Sequence, residues 1–138
     1  MSSTSTLVTT QRTAPIDARL CWNVTDMILE AGREYNFSAV GTWRDASIVC
    51  NANGYPPPAL NPLQTVVLKP FEPFRRMPSA PWFALIGAID KDMSTAFIIG
   101  CSKRLTVMKT GVLTCFANDV PFMYWNNSGM VMLTVTPM

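Results

Sequence analysis

The chain contains no histidine. Without an imidazole there is no Ser-His-Asp or Cys-His nucleophile system, and a zinc site would have to draw on all four cysteines. Those cysteines, Cys21, Cys50, Cys101 and Cys115, are widely spaced and form no Cys-x-x-Cys pair, which argues against thiolate metal chemistry. Charge is scarce as well: charged residues make up 14% of the chain and the net charge is +2. The only adjacent basic residues are Arg75-Arg76 and Lys103-Arg104. No basic stripe tracks phosphates, so nucleic acid is not an expected partner. Apolar residues reach 49%, yet no apolar run approaches the ~18 residues that span a bilayer, so no transmembrane segment is expected. Met1 to Thr13 is rich in Ser and Thr and has neither a basic start nor an apolar stretch, so it does not read as a secretory signal. Residues 1–17 are expected to form a flexible tail. No helical stripe, helix cap or internal repeat is visible.

Short strands are what the chain does contain. In Arg33 to Val40, Tyr35, Phe37 and Ala39 alternate with Glu34, Asn36 and Ser38, the pattern of a strand with one buried and one wet face. Similar runs fall at Ala18 to Ile28, Ser47 to Cys50, Trp82 to Ile89, Phe97 to Gly100, Leu105 to Met108, Gly111 to Ala117 and Met130 to Thr136. Between Asn51 and Pro81 lie most of the eleven prolines, which remove backbone donors and forbid long central strands. This span reads as an excursion over the surface, with a short strand at Thr65 to Leu68 and with Phe71, Phe74 and Trp82 to pin it. Its role is open between a wall for a ligand site, a subunit contact and simple packing. About eight strands in 138 residues give an all-β fold, a two-sheet antiparallel β-sandwich of jelly-roll kind, with one domain over 18–138. A core of that size needs neither metal nor disulfide. Cys101 and Cys115 are expected as buried reduced thiols, while a Cys21–Cys50 disulfide stays open.

The most informative stretch is Asn118 to Gly129, between two strand-like runs, which reads as the long loop of a hairpin. Asp119, Asn126 and Asn127 supply a carboxylate and two amide oxygens; Pro121 limits the backbone between them and Gly129 permits the return into the next strand. Hard oxygens suit a hard cation, and calcium takes six to eight of them at ~2.3–2.6 Å in irregular geometry. The residue types alone leave two readings standing, turn chemistry and a cation site. The Asp90-Lys91-Asp92 turn, by contrast, reads as solvated.

Order and spacing add a resemblance. Asn118-Asp119-Val120-Pro121, then three residues, then Trp125-Asn126-Asn127-Ser128-Gly129 resembles the calcium-site signature of the bacterial galactophilic lectins of the LecA type. Glu30-Ala31-Gly32, the alternating strand after it, Val40-Gly41-Thr42-Trp43 and the closing run Met130 to Thr136 resemble the rest of that family. The resemblance implies a galactose-binding-domain-like sandwich and a calcium ion. Asp119, Asn126 and Asn127 would bind that ion through side-chain oxygens and Met123 through its backbone carbonyl, with a further carbonyl near Asp45. It implies galactose-containing glycans as partners, with vicinal sugar hydroxyls on the calcium and contacts to Asp119, Val120, Trp125, Asn126 and Asn127, and often a homo-oligomer. Phe122 and Trp125 stand where the family carries glycines, so the mouth of the site is bulkier. The histidine and glutamine with which the family reads the sugar's exocyclic hydroxyl have no match in the middle loop. Catalysis is disfavoured, because glycoside hydrolysis needs two carboxyl groups ~5–9.5 Å apart and Asp119 has only Asp45 as a companion. The rival to a lectin is an interaction module on the same sandwich that has lost sugar binding.

Overall fold

The computed structural model describes residues 4–55 and 75–138. Among the described residues eleven strands form two sheets and there is no α-helix. In chain order they are β1 (Thr6–Leu7), β2 (Arg12–Asp17), β3 (Asn23–Leu29), β4 (Glu34–Val40), β5 (Trp43–Asp45), β6 (Ile48–Cys50), β7 (Leu85–Ile89), β8 (Asp92–Ile98), β9 (Ser102–Thr106), β10 (Gly111–Ala117) and β11 (Asn127–Pro137). One sheet runs β1-β3-β10-β7-β8 and the other β6-β5-β11-β4-β9, with β2 also paired to β11. Every pairing is antiparallel except the short β1–β3 contact. This is the expected two-sheet sandwich.

Alternation decides which side chains fill it. Tyr35, Phe37 and Ala39 from β4 and Val131, Leu133 and Val135 from β11 face Met27 and Leu29 of β3 and Leu113, Cys115 and Ala117 of β10. Rings lock the two sheets together: Phe37 packs on Phe97 at 5.3 Å between centroids, and Trp43 meets Phe83 edge-on at 5.5 Å. The other face of the five-stranded sheet is covered too. Ala80, Ala84, Ile86 and Phe116 form a second apolar cluster there, with Trp22, Met77, Ala96 and Ile98 against it. That is why β7 is buried along its whole length and reads as a continuous apolar run instead of an alternating one.

Two expectations are corrected. The flexible tail over 1–17 does not extend to Asp17: β2 pairs with β11 from Arg12 to Asp17, and Val8 and Ile16 are wholly buried. The Ser/Thr-rich composition hid this, because only Ile16, with Ala14 partly buried beside it, carries the inward face of β2 into the main core. The stretch after Ala117 is also not a hairpin loop. β10 lies in the five-stranded sheet and β11 in the six-stranded one, so residues 118–126 cross from sheet to sheet, a gap of ~10 Å. The possible strand at 65–68 and the pinning roles of Phe71 and Phe74 lie outside the described residues; Trp82 is buried and bridges Tyr55. All four cysteines are free thiols, Cys115 buried and Cys21 exposed.

Candidate functional site

The crossing from β10 to β11 sets the site. It begins with Asn118, which is fully buried and fully satisfied. Its side-chain oxygen accepts the Met77 N–H at 2.9 Å, and its amide nitrogen donates to the carbonyls of Met77, Pro81 and Ala80 at 2.9, 3.0 and 3.2 Å. Asn118 is therefore a staple between the loop and residues 77–81. At the other end a short 3-10 turn, Tyr124–Asn126, leads into β11. Adjacent residues there point apart: Tyr124 is buried, with its hydroxyl donating to the Ala117 carbonyl, while Trp125 is 69% exposed. Phe122 is 63% exposed on the same loop.

Strand register brings in the third element. Asp45 of β5 stands opposite Asn127 of β11, and the Ala46 N–H donates to the Asn126 carbonyl at 3.1 Å. Gly129 makes this approach possible: at φ +87°, a Cβ there would sit 3.0 Å from the Trp43 Cα.

Within this frame three side-chain oxygens stand out. Asp119 Oδ2, Asn126 Oδ1 and Asn127 Oδ1 are all buried and have no hydrogen-bond partner among the described residues. Their other polar atoms explain their orientation in two cases: Asp119 Oδ1 accepts the Val120 N–H at 2.7 Å, and Asn127 Nδ2 donates to the Ala18 carbonyl at 3.0 Å. The remaining oxygens of Asp119 and Asn127 are thus held in place without a partner among the described residues. Such atoms cost about 1–3 kcal/mol apiece when nothing bonds them, so they are rare without a cause.

The electrostatics point the same way. Burial first, and then the neighbouring charge of Asp45, push the Asp119 carboxyl up to about 6. Burial also raises the Asp45 carboxyl, partly offset by the Tyr55 hydroxyl, which donates to Asp45 Oδ2 at 2.6 Å. Burial disfavours ionisation of both carboxyls and the Asp45 charge adds to that at Asp119, a balance that a nearby cation reverses. Among the described residues no cluster of three or more histidine, cysteine or carboxylate side chains is set to hold a metal. The donors here are instead two carboxylates joined by amide oxygens, a set that fits a hard, oxygen-seeking ion and no soft one.

The structure treats the expected site residues unequally. Asp119, Asn126 and Asn127 share the bare-oxygen arrangement, and Asp45 reaches the same locality through the β5–β11 pairing. Among the described residues the Met123 carbonyl accepts only a long 3.5 Å contact from the Asn126 N–H. Val120 places its side chain in the main core, and its carbonyl accepts the Met123 N–H at 2.9 Å. Trp125 lies on the surface. The carboxylate of Asp45 and the hydroxyl of Tyr55 were not part of the expectation, which concerned a backbone carbonyl near Asp45. Nothing local marks Tyr55, because it lies beyond β6, bridged to Trp82, and reaches Asp45 through the fold and not through a motif.

No protein-family profile matches the chain, and no curated protein matches it in sequence. Solved structures do match it. The class is a two-sheet β-sandwich. Among the matches is the EclA N-terminal domain, described as a PllA-like lectin, with a TM-score of 0.67 and 19% sequence identity over 91% of this chain and 95% of that one. At that identity the likeness shows a common fold.

Proposed function

We propose that this chain is a non-catalytic, calcium-dependent lectin of the LecA type that binds galactose-containing glycans. The observation that carries the reading is the trio of buried, unbonded oxygens on Asp119, Asn126 and Asn127, gathered where the LecA-type signature falls. The fit to calcium is chemical: Asp119 and Asp45 bring two negative charges, Asn126 and Asn127 two neutral oxygens, and Met123 a nearly unengaged carbonyl. That falls short of the six to eight oxygens calcium takes. Two neighbouring hydroxyls of a sugar complete such a shell, and their protons find acceptors in the same carboxylate and amide oxygens, as charge-assisted bonds. Trp125, exposed at the mouth, offers a flat apolar face to the sugar ring. The neighbour's description as a lectin supports this reading.

A second reading keeps the sandwich and the loop but assigns the surface to a protein partner. The exposure of Phe122 and Trp125 favours it, because large apolar side chains at an edge suit partner contacts as well as sugars. Calorimetry with a multivalent galactoside, with and without calcium, separates the two. Calcium-dependent heat that disappears in Asp119→Ala is the expected result. Calcium uptake without any sugar uptake would leave the partner reading, and a homo-oligomer would strengthen weak single sites through avidity.

A further inference from the structure

The loop that carries the bare oxygens is anchored by a residue outside it. Arg76 sits half-buried against the outer face of the five-stranded sheet, with its guanidinium carbon 3.5 Å from the Phe116 ring centroid, 4.4 Å from that of Trp22 and 5.6 Å from that of Tyr124. One guanidinium nitrogen donates to the Tyr124 hydroxyl at 3.0 Å and also to the Cys21 carbonyl. The Arg76 backbone N–H donates to the Asp119 carbonyl at 3.0 Å. No carboxylate pairs with Arg76 among the described residues. Its charge is met by ring faces and by neutral oxygens, a setting that a planar, weakly hydrated guanidinium tolerates and an ammonium does not.

The geometry points to Arg76 as the positioning residue of the proposed calcium site: it ties the start of the crossing, at Asp119, to its end, at Tyr124, and so holds the ligating oxygens in convergence. The inference rests on the calcium reading above. Its mechanism is preorganisation. With the Asp119 carbonyl engaged by Arg76 and Asp119 Oδ1 engaged by Val120, the carboxylate has one orientation, and Oδ2 is the atom left to bind. At the far end Tyr124 is held by its own donation to the Ala117 carbonyl and by the bond from Arg76, which fixes the turn that delivers Asn126 and Asn127. Without the tie the two ends drift independently, and the ion must order the loop as it binds. Groups that orient a metal's ligands typically change affinity by roughly 10–100-fold when removed.

The test measures calcium affinity by calorimetry and amide hydrogen exchange of the metal-free protein for four chains: wild type, Arg76→Met, Tyr124→Phe and Leu105→Ala. Leu105 packs at the edge of the core on β9, which pairs with β4 and shares no strand contact with the crossing. It serves as a control for lost stability. Arg76→Met is expected to weaken calcium by roughly 10-fold or more. Tyr124→Phe keeps the ring and guards against a variant that fails to fold; it should weaken calcium by a smaller factor in the same direction. In the metal-free protein the Val120 and Met123 amides should exchange faster in both variants than in Leu105→Ala. Wild-type calcium binding with unchanged Kd in both variants, whatever their melting temperatures, overturns this inference alone. A wild-type protein that takes up no calcium overturns the calcium reading and this inference with it.

Discussion

The raised carboxyl of Asp119 makes the metal-free fold less stable as pH rises, the reverse of the usual behaviour of a paired aspartate. Burial and the Asp45 charge move this carboxyl from 3.8 to about 6. Well below 3.8, Asp119 carries its proton in both the folded and the unfolded chain and costs nothing. Between about 4 and about 6 the unfolded chain ionises first while the folded chain keeps its proton, so folding stability falls as pH rises through that window. Above about 6 both states are ionised and the loss is complete. At about 1.4 kcal/mol per pH unit, the gap between 3.8 and about 6 amounts to roughly 3 kcal/mol. Calcium should invert the slope, because the ion requires the ionised carboxylate and its apparent affinity then falls by up to about tenfold for each pH unit below about 6. Urea titrations of protein stripped of metal, from pH 4 to 8, measure the effect, and Asp119→Asn isolates it from the other carboxylates. The wild type should be the less stable of the two at pH 7.5 and should approach the variant at pH 4. A stability difference that stays constant over this range would refute the reasoning, since a carboxyl with no raised pKa gives no such slope.

Trp125→Ala should leave stability within about 0.5 kcal/mol, because the ring is 69% exposed, yet weaken a multivalent galactoside by about fivefold, the scale of one ring contact. Thermal melts and calorimetry check the two halves, and a large fall in melting temperature with unchanged binding would count against a contact role. Asn118→Ala removes the side chain that holds four bonds to residues 77–81 and strands their polar groups, so a loss of about 3 kcal/mol or more is expected in chemical denaturation. A thiol titration of the unfolded, non-reduced protein should count four, with Cys115 protected until unfolding.

The strands were legible where apolar residues alternate cleanly or run together. Tyr35, Phe37 and Ala39 alternate cleanly because β4 has a solvent side, and Gly111–Ala117 matches β10 end to end. Boundaries moved where the second layer intervened. The Trp82–Ile89 run shortens to Leu85–Ile89, since Phe83 has a positive φ of 63° and the Phe83 and Ala84 N–H groups donate to Asn118 and Pro81 instead of to a strand, and the Phe97–Gly100 run becomes Asp92–Ile98, whose start is polar. What single-chain patterns could not carry was connection. A loop between two strands looks alike whether it closes a hairpin or crosses between sheets, and β2 was invisible because only Ile16 and Ala14 of its residues pack on the main core. In the site, Asp119, Asn126 and Asn127 were legible from spacing. Tyr55 and Arg76 were not, because each acts through a contact made by the fold, Arg76 at 48 residues' separation from Tyr124.

The contrast between Asn118 and its neighbours bears on which reading of the loop is stronger. One buried amide in this loop is met at every polar atom by backbone partners, so the fold is able to satisfy a buried amide here. Eight and nine residues further on, two more amides and the adjacent carboxylate have buried oxygens with no partner among the described residues. These atoms are all acceptors. The remaining unpartnered buried groups, the indole nitrogens of Trp43 and Trp82, are donors on core side chains and share no pattern with them. A cluster of one polarity calls for a ligand of the opposite one, a cation or a set of donors. Turn chemistry does not explain it, because turn asparagines spend their oxygens on nearby backbone N–H groups. Nor does an interaction surface made only of Phe122 and Trp125, which would be better served by substituting the bare oxygens away and removing about 1–3 kcal/mol of cost at each. A chain that keeps the Asp119 and Asn127 oxygens oriented, through Val120 and Ala18, has the arrangement that the proposed cation site requires.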